Sequence, residues 1–473
     1  MTNSRPRVAI VGGGLAGMSA AIALREQADD LDITLYEARR LPGGRAGSFI
    51  DIGTGEDIDY CQHVAMGCCT HFLALMNNAG LLSAFTRYRE LRFHHPRFAE
   101  SRFASSALLP APLHLLPSLL RLQYLSWRQR WEISWATFVL MQTRSISLTK
   151  VTAHQWLSQR QQSPATIRDY WNVVIASALG ESCQHVSMAA ARKVFIEGFL
   201  ATKNACDVFL PKLPLSALFG VKLPGFVASK DVKIYNGTPV RSVAMFDNGS
   251  MLVNVNNENL EYGHVILAVP CFALARVLDY ATAIAAGLPA DRYESVPTSP
   301  ITGIHLWFDR PIIDRPHAVM VGTLSQWVFR RDQDLGTTSP SGRHYVQVVI
   351  SASRGVRDLS PEAVIDQVVA ELRHAFPAAV GAKLQRGRVV TDRQAVYSVR
   401  PDVDAIRPSA TTALPCLHLA GDFVQTGWPA TMEGAVISGR LAASSLLKQL
   451  GRLPVSVDRG LQPSVLSRLL IRK

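Results

Sequence analysis

Gly12, Gly14 and Gly17 have the spacing G-x-G-x-x-G, which lets a backbone turn approach a phosphate group closely. The apolar run 8–11 precedes this turn, and a segment rich in Ala and Leu follows it. This order is typical of a buried parallel strand that leads into a helix, whose first N–H groups bind a pyrophosphate. A second apolar run ends on Glu37, where a carboxylate accepts hydrogen bonds from a ribose 2′-hydroxyl. These residues predict a dinucleotide site, and the acid favours FAD or NAD over NADP; a plain turn between strand and helix is the alternative.

A second glycine pair, Gly43-Gly44, and then Arg45 follow Glu37 closely. A guanidinium matches phosphate oxygens with a planar set of donors, and two glycines let the backbone lie close to a cofactor. The alternative is an exposed loop charge. The stretch resembles the superfamily of FAD-containing amine oxidases and carotenoid desaturases, whose members carry a GG-R stretch after the ribose acid. The resemblance implies FAD, with Arg45 over its pyrophosphate.

Asp59, Gln62 and His63 place an acid, an amide and an imidazole close together after this second turn. Carboxyl and imidazole groups are the commonest general acids and bases of enzymes. The cluster therefore predicts a reactive site beside the cofactor. The alternative is structural: Asp59 caps a turn and His63 is a hydrogen-bonded core histidine.

Composition limits the class of protein and its partners. A chain of 473 residues with 48% hydrophobic and 18% charged residues predicts two interleaved domains with a large core, not disorder. The 49 Lys and Arg exceed the 37 Asp and Glu and give a net charge of +12. Without a nucleic-acid module or a long basic run, this charge favours an anionic membrane surface over nucleic acid. Seven cysteines without C-x-x-C spacing indicate reduced thiols in a cytoplasm and no metal site.

The segment 108–120 is strongly apolar, but it is too short and too interrupted by proline to span a membrane. Trp127, Trp131 and Trp135 follow it. Basic residues surround the segment at Arg97, Arg102, Arg121, Arg128 and Arg130, and the C-terminal tail contributes Arg468, Arg472 and Lys473. This combination predicts a surface that dips into one leaflet of a membrane. An ordinary helical layer of a substrate domain is the alternative.

The rest of the chain alternates between strand and helix patterns. Strands are predicted at 232–235, 240–246, 251–255 and 265–268, with a hairpin turn at 247–249. Aromatic runs at 304–308 and 327–329, followed by 345–350, predict an antiparallel sheet that lines a substrate cavity. The amphipathic segment 364–376 predicts a helix, and the buried strand 416–420 leads to Gly421-Asp422 and a helix at 430–447.

The string 419–435, which contains T-G-W-P-A-T-M-E-G-A, resembles the squalene-associated FAD-dependent desaturases, or hydroxysqualene dehydroxylases. The D-x-G-Q-H stretch of that family matches residues 59–63, except that Cys61 stands in place of glycine. The segments 209–216, 326–329 and 399–401 also resemble it, so the resemblance covers nearly the whole chain. The implied fold class is α/β: a Rossmann-type FAD-binding domain interleaved with an α+β substrate domain, as in amine oxidases and phytoene desaturases.

The motifs and the resemblance together define a predicted FAD site. Its residues are Gly12, Gly13, Gly14, Leu15, Ala16, Gly17, Glu37, Arg39, Gly44, Arg45, Val240, Gly421, Asp422, Met432 and Ala435. The resemblance implies that Val240 contacts the adenine and that Gly421-Asp422 holds ribityl and pyrophosphate oxygens. It also implies that the helix after Gly421-Asp422 directs its N-terminus at the flavin.

The reaction implied by the resemblance is reductive removal of an allylic hydroxyl from hydroxysqualene, which gives squalene. An acid protonates the leaving hydroxyl in a dry, aromatic-lined pocket, and reduced flavin delivers hydride. Asp59, His63 and Glu433 are the candidates for this acid. Two alternatives share the fold: a carotenoid or polyene desaturase, and a lipid carrier that does not catalyse a reaction.

The same reasoning predicts the organisation and location of the protein. The expected FAD-binding parts are 1–75, 225–295 and 405–455; a helical substrate or membrane-facing part spans 76–224, a sheet-and-helix substrate part spans 296–404, and a basic tail spans 456–473. Peripheral attachment to the inner face of a membrane is expected, with a lipophilic isoprenoid substrate. An external electron donor and functional association with squalene-synthase-like enzymes complete the predicted partners.

Overall fold

The apolar strand before the first glycine turn lies in the middle of a five-stranded parallel sheet. The structure of the protein is a computed structural model that describes residues 5–331, 343–458 and 460–472. In spatial order, the strands of the parallel sheet are Val232–Tyr235, Asp32–Tyr36, Arg7–Val11, His264–Leu267 and Leu417–Leu419. Because neighbouring strands are all parallel, their carboxyl ends share one edge. The glycine turn, Glu37 and Gly421-Asp422 each follow one of these strands and meet at that edge.

Two long helices pack against this sheet and against each other. Leu15–Arg25 begins at the glycine turn, and Met432–Gln449 follows the last strand. Their backbones approach closely at Gly439, where a Cβ would lie 2.2 Å from the Ala16 carbonyl oxygen. The Ser19 hydroxyl also donates to a backbone carbonyl of the second helix at 2.8 Å. The two helix N-termini are therefore held together at the same edge of the sheet.

A seven-stranded sheet forms the centre of the second half of the molecule. In spatial order its strands are Leu384–Tyr397, Thr298–Phe308, His344–Ser351, Trp327–Arg330, His317–Met320, Glu90–His95 and Phe98–Ala104. One face packs on the helix Pro361–Ala375 through residues such as Ile304 and Val348. The other face carries Trp327 and Phe329 and packs against a layer of helices. Side chains that face the helix Pro361–Ala375 alternate along each strand with side chains that face the helical layer, because successive residues of a pleated strand point to opposite faces.

The helical layer lies between residues 116 and 228. Its α-helices are Leu116–Leu120, Trp127–Gln142, Ala153–Gln159, Pro164–Thr166, Asn172–Leu179, Met188–Lys193 and Leu223–Ala228, with π-helical turns at Ile167–Trp171, Val194–Leu200 and Ser216–Lys222. The remaining helices are Thr70–Asn78, Leu274–Val277, Tyr280–Ala285, Ala290–Glu294, Pro401–Asp404 and Val465–Leu470. Within the described residues, none of the helices has the length and apolar character needed to cross a bilayer.

Short β-ribbons connect the two large sheets. Ser48–Ile50 pairs with Asp57–Asp59, and Val208–Pro211 pairs with both Ala65–Met66 and Phe85–Tyr88. A separate antiparallel meander contains Val240–Met245, Met251–Val255 and Glu258–Tyr262. The first two ribbons hold the segment 59–66 between the parallel sheet and the seven-stranded sheet.

The predicted fold class is confirmed, and most predicted elements lie within a few residues of their observed bounds. One difference concerns 76–224, which we predicted to be helical. Glu90–His95 and Phe98–Ala104 form a hairpin that extends the seven-stranded sheet. Leu91 and Phe93 point inwards, whereas Arg92 pairs with Glu90 and with Glu100 on the opposite strand, so charges mask the strand period.

Candidate active site

The first glycine turn forms a groove with unoccupied backbone donors. The helix Leu15–Arg25 begins after Gly14 without any side-chain cap, so its first N–H groups remain available for an anion. A Cβ on Gly17 would lie 1.9 Å from the Gly12 carbonyl oxygen, so only glycine allows this turn to close. Gly44 has a φ of +63°, and a Cβ there would lie 3.4 Å from the Gly14 Cα. The two glycine turns therefore face each other and form a cradle without side chains.

Glu37 lies at the tip of the second strand, as the sequence predicts. One carboxylate oxygen accepts from the Gly13 N–H and the other from the Arg39 N–H, each at 2.8 Å. The Arg39 guanidinium donates to the Gly44 carbonyl oxygen at 3.0 Å, which joins this tip to the second glycine turn. Val240 follows a loop whose Thr238 N–H donates to the Glu37 carbonyl oxygen at 2.8 Å. The residues predicted for the ribose and adenine thus lie in one region.

Arg45 and Asp422, which are 377 positions apart in the chain, form an ion pair in the folded protein. The Arg45 guanidinium also donates to the Ala395 carbonyl oxygen at 3.1 Å. Burial opposes the charge of Arg45, yet its pKa is raised because Asp422 lies beside it. The Gly421 N–H donates to the Ser438 hydroxyl at 2.7 Å, which fixes the turn that presents Asp422.

The helix Met432–Gln449 begins beside this ion pair. The Thr431 hydroxyl caps it by accepting from the Gly434 N–H at 3.1 Å. Met432 and Ala435 are half-buried in its first turn. An acceptor in front of this first turn is stabilised by the positive end of the helix dipole.

These features fit FAD. The cradle without side chains and the uncapped helix would hold the pyrophosphate, and Glu37 has lone pairs left for ribose hydroxyls. Arg45 and Asp422 would face the ribityl chain and phosphates, with Met432 and Ala435 near the flavin. When bound, FAD supplies hydride transfer.

Asp59 is buried in a network that uses both of its oxygens. One accepts from the Ser48 hydroxyl at 2.7 Å and from the Leu215 N–H at 2.8 Å. The other accepts from the Arg331 guanidinium at 3.1 Å, and that guanidinium also donates to the Pro211 carbonyl oxygen at 2.9 Å. The carboxylate of Asp59 is thus held by three donors, one of them a guanidinium, in a structural network. The geometry therefore argues against our prediction that Asp59 donates the proton.

Glu433 is likewise occupied by structural contacts. Its fully buried carboxylate accepts from the His71 N–H at 3.0 Å, the Phe72 N–H at 2.8 Å and the His71 imidazole at 2.8 Å. It thereby caps the helix Thr70–Asn78, whose own N-cap residue, Cys69, makes no side-chain cap. The geometry also argues against Glu433 as the acid.

His63 is the remaining candidate, and it is half-buried. Its Nδ1–H donates to the Cys61 carbonyl oxygen at 3.0 Å, which leaves Nε2 without a partner among the described residues. Burial lowers the pKa of His63, so the neutral imidazole predominates at neutral pH. The neighbouring Gln62 side-chain carbonyl is buried without a partner, and burial raises the pKa of the Cys61 thiol to about 12. His63 and Gln62 are thus the polar groups with unused atoms in this segment.

The seven-stranded sheet packs against the segment 59–63. A Cβ on Gly303 would lie 2.7 Å from the Tyr60 carbonyl oxygen, and the Gln347 amide donates to the Asp59 carbonyl oxygen at 3.2 Å. His305 pairs with Gln347 across the sheet and exchanges a 2.7 Å hydrogen bond with the Tyr345 hydroxyl. Burial lowers the pKa of His305 to about 3, so it is neutral. Sequence analysis predicted the sheet but not these polar residues, although their alternation with Ile304 and Leu306 is a signal that could have identified them.

Comparison with known proteins identifies the family of this chain. The model of the family described as flavin containing amine oxidoreductase matches residues 15–447. The zeta-carotene desaturase of Synechocystis sp. is 24% identical over 95% of this chain and 99% of its own length. The hydroxysqualene dehydroxylase of Sinorhizobium fredii is 24% identical over 93% of this chain and 98% of its own length. The 15-cis-phytoene desaturase of Arabidopsis thaliana is 23% identical over 98% of this chain and 83% of its own length.

Solved structures show the same fold. Cyclohexylamine oxidase from Brevibacterium oxydans superposes with a TM-score of 0.69 at 17% identity, over 95% of this chain and all of that one. A putrescine oxidase superposes with a TM-score of 0.66 at 15% identity, over 94% of this chain and 99% of that one. The superfamily expected from the GG-R and Gly-Asp motifs is confirmed. The chain belongs to the flavin-containing amine oxidoreductase family.

Proposed function

We propose that this flavin oxidoreductase binds FAD and removes the allylic hydroxyl of hydroxysqualene reductively to give squalene. Relatives that match nearly the whole chain are named for hydroxysqualene, zeta-carotene and phytoene, which are all long isoprenoids. The observation that carries the proposal is a long apolar wall that begins at Gly303, which packs on Tyr60 at the start of the segment that holds the unused polar atoms of Gln62 and His63. Desaturation of a carotenoid precursor is the second candidate.

The apolar wall is a row of residues across the seven-stranded sheet. Gly303, Val349, Trp327, Val319 and Phe93 are successive partners on five neighbouring strands and share one face. At about 4.8 Å per strand, the row is roughly 19 Å long. Such a wall suits a hydrocarbon chain and offers no charge to bind an amine.

The helical layer that packs against this wall is also apolar. Val64, Met66, Tyr88 and Val174 are half-buried residues at the border of the helical core. The Trp327 indole N–H donates to the Ser177 hydroxyl at 2.8 Å and closes the sheet onto the helical layer. We propose that the substrate binds between these two apolar surfaces, where exclusion of water would protect an allylic cation from capture.

His63 is the residue that we assign to proton transfer. Its free Nε2 is the side-chain atom that can carry a proton to a leaving hydroxyl, whereas Asp59 and Glu433 are held in structural networks. The buried Gln62 carbonyl oxygen is positioned nearby as an acceptor for a hydroxyl group. Binding and orientation of the oxygen would thus come from Gln62, and the proton from His63.

The direction of the pH dependence distinguishes the two candidate reactions. Because burial lowers the pKa of His63, its acid form declines as pH rises through that lowered value. Dehydroxylation at limiting substrate should therefore slow as pH rises through a value below the ordinary histidine pKa of about 6.5. A desaturase needs the neutral imidazole as a base and should slow on acidification instead.

The decisive experiment uses holoenzyme photoreduced without oxygen and incubated with hydroxysqualene, followed by lipid analysis. Squalene should form in proportion to the reduced flavin, and His63→Ala should retain FAD while slowing this step by about 100-fold. His374→Ala, at an exposed histidine of the helix Pro361–Ala375, is the matched control and should keep full activity. If no squalene forms and the oxidised enzyme oxidises phytoene, the dehydroxylase assignment is wrong and the protein is a desaturase.

We also propose peripheral attachment to the inner face of an anionic membrane, through an aromatic stripe on the helix Trp127–Gln142. The stripe consists of Trp127, Trp131, Trp135 and Phe138, which are exposed by 72, 67, 49 and 45%. Trp131 and Trp135 stack at 6.5 Å, and the spacing places all four on one side of the helix. Exposed amphipathic rings of this kind favour the interface of a bilayer.

Two neighbouring segments extend this apolar surface. Ser464, which begins the C-terminal helix, donates to the Ala111 carbonyl oxygen at 2.7 Å, and Gln142 donates to the Leu470 carbonyl oxygen at 2.8 Å. Leu469 of that helix is exposed. Lys473, which we predicted to contribute to the basic tail, lies outside the described residues.

Only part of the segment 108–120 is available to a membrane. Leu108, Leu113, Leu116 and Leu120 are exposed, whereas Leu115 and Leu119 are buried in the helical core. Serine at the two buried positions would destabilise the fold and would not test attachment.

A vesicle experiment tests this attachment. Trp131→Ser with Trp135→Ser should reduce co-sedimentation with anionic vesicles several-fold, and high salt should weaken the wild type. The pair Tyr280→Ser and Ile284→Ser removes exposed apolar residues elsewhere and should have no effect. Equal loss in both pairs would contradict the aromatic stripe as the contact.

A further inference from the structure

A basic pocket of about 340 Å³ lies on the surface, and none of its lining residues belongs to the predicted flavin site. It is lined by Arg87, Arg89, Lys203, Asn204, Asp207 and the loop 105–107. The Ser105 hydroxyl donates to the Lys203 carbonyl oxygen at 2.9 Å, and Lys203 Nζ donates to the Ala107 carbonyl oxygen at 2.8 Å. These two bonds hold the pocket walls together.

The charges in this basic pocket are not balanced. Asp207 pairs with Arg87, whose Nε donates to it at 2.7 Å, so these two residues neutralise each other. Neither Arg89 nor Lys203 has an acidic partner among the described residues. Lys203 is half-buried, and within the described part of the chain its ammonium is bonded only to a neutral carbonyl. Two uncompensated cations and the Asn204 amide thus offer donors to an anion, and phosphate is an anion that such groups bind.

An exposed apolar loop adjoins the basic pocket directly. Leu108 follows the pocket residue Ala107 and is 92% exposed. The Ser106 N–H donates to the His114 carbonyl oxygen at 2.8 Å and closes the loop, so that Leu113 is presented on the same loop and is also exposed. A free phosphate ion would make no favourable contact with the exposed leucines beside the pocket, whereas the acyl chains of a lipid can pack against them.

We propose that the basic pocket binds the phosphate of an anionic phospholipid, whose acyl chains lie against Leu108 and Leu113. The inference rests on the proposed membrane attachment and adds to it a specific headgroup site. The aromatic stripe supplies partition into the bilayer, and the basic pocket selects an anionic headgroup and fixes the orientation of the protein. Attraction by net charge alone would be spread over the whole basic surface.

The first experiment measures binding without a membrane. Calorimetric titration of the holoenzyme with dihexanoylphosphatidic acid, below its micelle concentration, should show one saturable site. Dihexanoylphosphatidylcholine and inorganic phosphate should each bind at least about tenfold more weakly. The choline cation of the phosphatidylcholine compensates the charge of its phosphate, and inorganic phosphate lacks acyl chains. Absence of a saturable site for phosphatidic acid would overturn the proposal, and equal binding of inorganic phosphate would reduce the pocket to an ion site.

Asn204→Asp tests the location, because it places a carboxylate in the basic pocket without removing any cation. It should weaken binding of the short-chain lipid at least about tenfold. Asn77→Asp makes the same charge change at an exposed position of the helix Thr70–Asn78 and should bind as the wild type does. Equal weakening by both variants would show diffuse attraction and refute the site.

Arg89→Gln provides a second variant, since Arg89 is exposed and its loss leaves no acid unpaired among the described residues. It should also weaken binding. All three variants should keep their flavin and their activity on detergent-dispersed substrate. Failure of the proposed reaction would appear in the activity of the wild type, whereas failure of the lipid site would appear only in the titrations.

Discussion

Replacing Asp59 by asparagine separates a structural role from a catalytic one. Asp59 and Arg331 are each only 3% exposed and face each other at 3.1 Å. Asparagine keeps the shape of the side chain but leaves the guanidinium of Arg331 without a counter-charge in the core. Breaking a buried pair in this way costs about 3–5 kcal/mol of unfolding free energy. Asp59→Asn should therefore destabilise the protein by about that amount.

Thermal unfolding of the holoprotein measures this cost. With an unfolding entropy of roughly 2.1 cal/mol/K per residue, a cooperative unit of this length changes its stability by roughly 1 kcal/mol per kelvin, so Tm should fall by about 3–5 °C. Replacing both partners, Asp59→Leu with Arg331→Met, removes the stranded charge and should recover most of the loss. An unchanged Tm in Asp59→Asn with turnover abolished would refute this reasoning and return Asp59 to the role of acid.

Three further predictions concern the cofactor cradle and a buried histidine. Glu37→Arg should cost at least ~2 kcal/mol of FAD affinity, because the ribose acceptor is lost. Glu258→Arg, at an exposed strand end, should not change the affinity, and flavin absorbance after gel filtration measures both variants. Gly44→Ala and Gly55→Ala both strain a positive φ, but Gly55 faces open space, so only the first should lose flavin. Burial lowers the pKa of His418 to about 3. Its contribution to stability is therefore complete above about pH 6.5 and is lost as pH falls towards 3, because the unfolded chain takes up the proton first. The urea midpoint of unfolding should be lower at pH 5 than at pH 7.5.

The cofactor half of the molecule was predictable because its signals are local. The G-x-G-x-x-G turn, the acid at Glu37 and the Gly421-Asp422 pair each follow an apolar strand, and parallel strands bring their carboxyl ends together. Only the contact between Arg45 and Asp422 needed the folded structure, and the resemblance had already placed both near the phosphates. Short-range pattern and topology were sufficient here.

The reactive residues were harder to predict because their roles depend on partners distant in sequence. Asp59 and Arg331 are 272 positions apart, and Glu433 meets the N–H of His71 across 362 positions. Nothing near Asp59 or Glu433 in the sequence indicates that its carboxylate is already occupied. Likewise, the apolar run 108–120 does not reveal which of its leucines are buried, because the short helix Leu116–Leu120 gives too few turns for a clear period.

The structural role of Asp59 also bears on the chemistry assigned to His63. Asp59 holds Arg331 and the Leu215 N–H, and its carbonyl oxygen accepts from Gln347 of the seven-stranded sheet. These contacts fix the start of the segment 59–63 between the sheet and the loop around Leu215, and the imidazole lies four residues further along. A proton must be delivered within hydrogen-bond reach of the leaving oxygen, so a small displacement of this segment would slow the reaction without removing the acid. Loss of turnover in an Asp59 variant is therefore informative only together with its Tm and its pH profile: a positioning defect keeps the pH dependence of His63, whereas loss of the acid itself abolishes it.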